Sequence, residues 1–386
     1  MSPSDDPSNA SSGDPYRESF RESSRESGDH YHAPQPEAAA EAHREKFHAL
    51  EIAQVLSHYD IGVIAQIREY RRGSRRSPKL KLQSERGEFL LKRKQSDQSL
   101  ERAEASHAVQ ARAAAGGVPV APLVELRRGG TLLSLGERRY ELYDWVAGTR
   151  FERDPAQAHE AGVALARLHR ALAVGNAESE LPVGGFSDIG AVRRSLFLAD
   201  AAASLRADLA GRERIGGFMT SLDAHLSRVE KKLTEKGLRE QPTAICHGDF
   251  HPGNTLWFGV TLGAVIDFDS ARRESVAAEV ANAMLQFALK HRVGENPDAW
   301  QIGLDPDRLR AFCAGYCSQP STVAHREIAP LLPWLMMAAV IAEAAVPIAR
   351  SGDFAGIPAV PFLRATTNLV DWLAHRTRAV SGAFGG

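Results

Sequence analysis

Cysteine is scarce in this chain of 386 residues, which holds three: Cys246, Cys313 and Cys317. Three thiols make no disulfide framework and read as reduced side chains of a reducing compartment, so a cytoplasmic location is expected. Cys313 and Cys317 are neighbours on one helical face, and a zinc site would want further ligands close by. An excess of either charge is missing too. With 47 Lys and Arg against 48 Asp and Glu the net charge is −1, whereas a duplex or an anionic membrane would want a clear basic excess. Neither nucleic acid nor membrane is therefore an expected partner. The N-terminal stretch MSPSDDPSNASSGDPYRESFRESSRES lacks the apolar core of a signal peptide. Residues 1–45, rich in Ser, Pro, Asp and Arg, cannot offset the entropy of ordering and are expected to be a disordered tail. One long apolar run stands out, residues 331–349, about the length of a membrane span. Glu343 inside it, Pro333 and Pro347 flanking it, and its many small alanines make it a buried core helix instead.

What is present is ordinary globular material, 43% hydrophobic and 25% charged, long enough for two domains or one bilobal unit. FHALEIAQVLSHY (47–59) is apolar at helical spacing. GVIAQIREY, KLKLQS and FLLKRK then read as an antiparallel meander, with a polar turn at 85–88. Residues 99–117 begin with a Ser cap and stop at a Gly pair, as a helix does. TLLSLG and RRYELYDWV add two strands, so residues 46–146 form a small β-rich lobe. At Ala147 the character changes. Asp154 and Pro155 cap a helix running through Leu165 and Leu168, and Leu222, Leu226, Val229 and Leu233 make another apolar stripe. Residues 147–386 read as a larger, mostly helical lobe. The expected fold is α+β and bilobal.

The chemistry concentrates in CHGDFHPGNTLW (246–257) and VIDFDSA (265–271). Asp249 and Asn254, five apart on a loop, can turn into one cleft, while Asp267 leaves the end of an apolar strand. Oxygen ligands from Asn and Asp suit Mg²⁺, a hard cation that also takes phosphate oxygens. Asp249 is then free to accept the proton of a substrate hydroxyl. Read as H-x-D-x-x-x-x-N, then an apolar strand and D, the spacing matches the catalytic and metal-binding loops of kinases.

These residues resemble the aminoglycoside phosphotransferase family, a small-molecule branch of the protein-kinase-like fold. HGDFHPGN is similar to its H-G-D-x-x-x-x-N box, VIDFD to its I-D-F/W box, and LARLH (165–169) to one of its helices; the likeness covers about residues 60–285. The resemblance implies ATP as donor, Mg²⁺ as cofactor and a small-molecule hydroxyl as acceptor. It makes Asp249 the catalytic base, Asn254 and Asp267 the metal ligands, and His247 a histidine that buttresses the loop. Lys92 corresponds to the strand lysine that holds the α- and β-phosphates, with a helix glutamate, Glu104 or Glu101, as its ion-pair partner. The backbone of Asp144 and Val146 corresponds to the adenine-binding linker between lobes. There are departures. The stretch RRGSRRSPK has one glycine where protein kinases have three, so Ser74, Ser77 or the arginines would hold the γ-phosphate. Asp269 stands where protein kinases carry glycine, and His251 where they carry lysine; His251 is read either as a contact to substrate or phosphate or as loop packing.

Two other readings use the same residues. His247, Asp249 and His251 form an H-x-D-x-H run of the kind that binds hydrolase metals, and a regulatory pseudokinase would keep the fold without the reaction. For the acceptor, residues 281–386 carry nine Lys and Arg against eight Asp and Glu, too even a balance to trap a polycationic drug. A neutral or zwitterionic alcohol such as a homoserine-like amino alcohol, a sugar or choline is favoured, and a protein hydroxyl stays open. Residues 338–345 and 279–289 are expected to line or back its pocket, with Glu279, Asn282 and Gln286 as polar contacts.

Overall fold

Alternation of buried side chains in the first third of the chain produces strands that pair in a meander. The computed structural model describes residues 45–71, 76–95, 98–173, 181–241, 243–291, 296–320 and 323–384, so the expected tail lies outside the described residues apart from Glu45. Helix α1 (Ala49–Leu56) leads into β1 (Ile64–Glu69), β2 (Lys79–Ser84) and β3 (Gly87–Arg93), then α2 (Leu100–Ala115), β4 (Leu132–Leu135) and β5 (Arg138–Asp144). The five strands form one antiparallel sheet in the order β1-β2-β3-β5-β4. Helix α2 starts where the Ser99 hydroxyl accepts the Arg102 N–H and ends at Gly116. Leu82, Leu91, Tyr140 and Leu142 pack with Val55 of α1 into one apolar cluster. Side chains alternate along a strand, so with Leu91 and Leu142 on that face, Lys92, Lys94 and Glu141 stand on the other.

Helices dominate beyond residue 154: α3 (Pro155–Ala173), α4 (Ile189–Ser204) and α5 (Leu209–Glu235). Short strands β6 (Thr243–Cys246), β7 (Thr255–Phe258), β8 (Thr261–Val265) and β9 (Arg272–Ser275) then pair as β6–β9 and β7–β8. Helices α6 (Val276–Ala288), α7 (Pro306–Cys317), α8 (His325–Ile328), α9 (Leu332–Ser351), α10 (Ala359–Ala374) and α11 (Thr377–Ala383) complete the chain, with a two-stranded ribbon, β10 (Asp353–Phe354) and β11 (Ile357–Pro358), before α10. Residues 45–386 form one contact unit of α+β architecture. Its larger apolar cluster runs through these helices and takes in Val109 and Ala113 of α2. Helices α3 and α7 approach backbone to backbone. A Cβ at Gly162 would sit 2.2 Å from the Phe312 carbonyl oxygen, and one at Gly315 would sit 2.0 Å from that of His159.

The apolar run forms α9 and is largely buried, although its length and composition alone would let it cross a membrane. Pro347 was expected to flank this helix and instead lies inside it. Its ring withdraws the N–H that would have bonded the Glu343 carbonyl, and the helix continues only about one turn beyond it, to Ser351. Residues 338–345 and 279–289 are mainly core, a place from which they can back a pocket but hardly line one: Ala338, Ala339 and Ala345 are fully buried, as are Val280 and Phe287. Alanines among bulkier apolar residues let neighbouring helices come close and fill the interior.

Candidate active site

The loop after β6 carries Asp249, and its shape is fixed by a carboxylate from behind. Glu279, buried in the first turn of α6, accepts the N–H of Gly248 at 2.6 Å and that of His247 at 3.2 Å. It also meets His169 Nε2 of α3 at 2.8 Å, while His169 Nδ1 meets the Tyr316 hydroxyl of α7 at 2.9 Å. Burial alone would raise the Glu279 carboxyl, but the bonds and charge of His169 and the contacts with His247 and Gly248 hold it below the usual range. Glu279 therefore grips the loop and is not a contact for an acceptor. Gly248 has φ of +79°, and a Cβ there would lie 2.1 Å from the Ser270 carbonyl oxygen, so this turn needs glycine.

His247 ties the loop to the segment bearing Asp267. Its Nε2 reaches the Ile266 carbonyl at 3.2 Å and its Nδ1 accepts the Asp249 N–H at 3.3 Å. The ring is fully buried, and burial pushes its pKa down, so it stays neutral with both nitrogens engaged. Asn254 turns back onto Asp249: its Nδ2 donates to the Asp249 carbonyl and to Oδ2, each at 2.9 Å. The amide oxygen of Asn254 is left for another partner, as a hard cation requires. Asp267 emerges from β8 with φ of +67° and ψ of +64°. Such left-handed backbone is uncommon for a residue with a Cβ but is tolerated by Asp.

Lys92 brings the sheet to this loop. Its Nζ lies 3.1 Å from Asp267 Oδ1, 2.8 Å from Asp269 Oδ2 and 3.1 Å from Glu141 Oε1. Lys94 bridges the same groups, 2.7 Å from Glu141 Oε2 and 2.5 Å from Asp269 Oδ1, and His107 Nε2 meets Glu141 at 2.7 Å. Burial works against the Lys92 charge, and Asp267, Asp269 and Glu141 together overcome it, holding the ammonium well above its usual pKa. Glu141 is held well below its usual value in return, by Lys92, Lys94 and His107 against burial. The expected helix partner is thus corrected: Glu104 and Glu101 are exposed on α2, and the paired carboxylate comes from β5. Lys92 and Glu141 are directly opposed in the β3–β5 register, and opposite charges on facing residues attract.

Other expected residues fall as follows. Asp144 is exposed at the end of β5, with Val146 half-buried just beyond. Ser77 is buried and donates to the Arg93 carbonyl at 2.7 Å, so its hydroxyl is already engaged, and Ser74 lies outside the described residues. His251 Nδ1 accepts the Gly253 N–H at 2.9 Å, and its Nε2 is 3.5 Å from Asp249 Oδ2. With His247 and His251 engaged in this way, the two rings do not open toward a shared metal, and the H-x-D-x-H hydrolase reading loses its ligands. The group of described residues closest to a metal-ligand spacing is His169, Cys246 and Glu279, whose carboxylate already serves the loop.

The phosphotransferase enzyme family (APH) matches residues 67–331, more than half of the chain. The chain belongs to this family. The phosphotransferase is 30% identical to the homoserine kinase of Rhodopseudomonas palustris (strain TIE-1) over 288 residues, 73% of this chain and 79% of that one. It is 28% identical to the homoserine kinase of Bradyrhizobium diazoefficiens over 328 residues, 84% of each. Its fold is shared with the microcompartment-associated aminopropanol kinase, with a TM-score of 0.62 at 17% identity over 86% of this chain and 98% of that one. The protein is a phosphotransferase acting on a hydroxyl group of a small molecule, and its kinase family implies ATP as the phosphate donor. The pseudokinase reading falls with that assignment.

Sequence reasoning about this phosphotransferase missed Glu141, its pairing with Lys94 as well as Lys92, and the clamp of Glu279 on His169. Nothing local signalled Glu141, since β3 pairs with β5 and passes over β4, which comes next in sequence. The signal for His169 was half read, in the likeness of LARLH to a family helix.

Proposed function

We propose that the protein transfers the γ-phosphoryl group of ATP, with Mg²⁺, to the hydroxyl of a small amino alcohol, and that Asp249 is the catalytic base. The observation that carries this is the meeting of four groups: Asn254 on Asp249, and Lys92 on Asp267. Asp249 keeps one oxygen engaged by Asn254 and has its side chain 39% exposed, so the other oxygen can accept a hydroxyl proton as the new P–O bond forms. Lys92 would hold the α- and β-phosphates. The carboxylate of Asp267 and the amide oxygen of Asn254 fit Mg²⁺, which when bound neutralises phosphate charge. Residues 46–146 would form the nucleotide lobe, with the backbone of Asp144 and Val146 at the adenine, and residues 147–386 the acceptor lobe. The absence of charge excess fits a cytoplasmic enzyme that binds neither nucleic acid nor membrane.

Homoserine is the first acceptor to try, because kinases similar to this chain in sequence carry that name. The test is ADP release from Mg²⁺-ATP with homoserine, ethanolamine, 1-amino-2-propanol, choline, hexoses and kanamycin. The reading expects a small amino alcohol to give the highest kcat/KM. A response to kanamycin or to a hexose alone would refute the acceptor class.

A further inference from the structure

Helix α2 reaches the lysine network through one side chain. Among the described residues of this helix, the one buried titratable group is His107. Its Nε2 lies 2.7 Å from Glu141 Oε2, and its Nδ1 lies 2.8 Å from the Thr131 hydroxyl. Glu141 is held ionised and can only accept, so Nε2 carries the hydrogen that points at it. The Thr131 hydroxyl can donate to Nδ1 or accept from it, so both ring nitrogens are satisfied whichever charge the ring bears. Helix α2 is itself held by the larger lobe. Val109 and Ala113 belong to that lobe's apolar cluster, and Arg102 Nη2 donates to the Asp269 carbonyl at 2.9 Å. His107 therefore ties the sheet to a helix that also touches the segment of Asp267 and Asp269.

The two oxygens of Glu141 are used differently. Oε2 meets His107 and, also at 2.7 Å, the Lys94 ammonium, while Oε1 faces Lys92 at 3.1 Å. The terminal torsion of a glutamate is broad and soft, so a carboxylate held by one donor can turn. Two donors on Oε2, one from α2 and one from just past β3, fix its plane and leave Oε1 for Lys92. We propose that His107 is a positioning residue for Lys92: it orients Glu141 so that the Lys92 ammonium stands where the α- and β-phosphates of the nucleotide arrive. This rests on the reading of Lys92 as the phosphate-binding lysine. The single helix glutamate expected beside Lys92 is replaced by two residues in series, a histidine on the helix and a glutamate on the sheet. Without His107, Lys94 alone holds Oε2, and the carboxylate is free to turn both oxygens toward Lys94 and away from Lys92.

The test compares the affinities of Mg²⁺-ADP and of adenosine, by calorimetry, in wild type, His107→Leu, His107→Gln, Val109→Ala and Lys92→Met. Adenosine has no phosphate for Lys92, so the ratio of the two affinities reports where that ammonium stands. Wild type is expected to prefer ADP. His107→Leu is expected to cut that preference by about 10-fold, the scale of one hydrogen bond to a charged group. The KM for ATP should rise with it while that for the acceptor stays unchanged. His107→Gln, whose amide can reach Oε2, should restore most of the preference. Val109→Ala loosens the same helix from the core and should lower the unfolding midpoint with the ratio intact. His107→Asn, too short for Oε2, repeats the comparison if His107→Leu does not fold. An unchanged ratio in a folded His107→Leu, with Lys92→Met having lost it, overturns the role of His107 alone. So does an equal loss in Val109→Ala, which would make the effect one of helix stability. An unchanged ratio in Lys92→Met instead overturns the reading of Lys92 on which the proposal rests.

Discussion

Replacing Glu279 with Gln perturbs a carboxylate that joins three parts of the chain: the loop at Gly248 and His247, helix α3 through His169, and its own helix α6. A glutamine oxygen can keep one of the two backbone donors. Its NH₂ group then faces the other N–H or the His169 Nε2, a donor against a donor unless His169 changes tautomer. At least one buried N–H is left unsatisfied, at about 1–3 kcal/mol, and charge-assisted bonds worth about 1.5–3 kcal/mol each are weakened. Relief from burying a charge offsets part of this, so the net loss is expected near 2–4 kcal/mol. The sign of its pH dependence follows from the depressed carboxyl. A group held below its unfolded value near 4.5 contributes its stability above that pH and loses it as pH falls through the folded value. Denaturant unfolding of wild type and Glu279→Gln should therefore differ most near neutral pH and converge under acid. The loop should also loosen, so kcat is expected to fall with ADP affinity little changed. Equal unfolding midpoints at neutral pH, with normal kcat, would refute the clamp.

Other substitutions probe separate parts of the site. Gly248→Ala places a methyl on a backbone oxygen in left-handed geometry, and a displacement near 1 Å should lower kcat by about 100-fold, read by steady-state kinetics. Lys92→Met takes the lysine from Asp267 and leaves Asp269 and Glu141 with Lys94 alone, so it should destabilise the fold by up to about 3–5 kcal/mol in denaturant unfolding and weaken ADP binding. Glu343→Gln should stabilise the ligand-free protein: with the wild-type carboxyl at about 7 instead of 4.5, the folded state holds a proton that the unfolded chain has released. The gain should approach about 3 kcal/mol near pH 8 and vanish near pH 4, at about 1.4 kcal/mol per pKa unit. No gain at alkaline pH would show that Glu343 already has a partner.

Much of this site was legible in the chain because its chemistry is local. Asp249 and Asn254 share one loop, Asp267 follows an apolar run, and strand alternation puts Lys92 on one face of β3. Helix ends were legible for the same reason, as at Ser99 and Gly116, where capping depends on neighbours in sequence. What escaped depends on contacts between distant segments. Lys92 and Glu141 meet through strand register, and the alternation that marks a strand does not say which strand lies beside it. Glu279 looked like a polar contact for a ligand because its spacing with Asn282 and Gln286 is helical. Only the packing of α6 behind the loop turns it toward Gly248. Glu343 was noticed as a charge in an apolar run and read only as an argument against a membrane span. That burial holds its carboxyl up is a tertiary fact.

The central claim is that Asp249 takes the acceptor's proton, and the most direct measurement is phosphoryl transfer by Asp249→Asn. ADP release with Mg²⁺-ATP and the best acceptor should fall by about 100- to 10,000-fold, the usual contribution of a positioned base. Calorimetric affinity for ADP should be retained, because Lys92 and the sheet are untouched. Wild-type turnover in a folded Asp249→Asn would contradict the account.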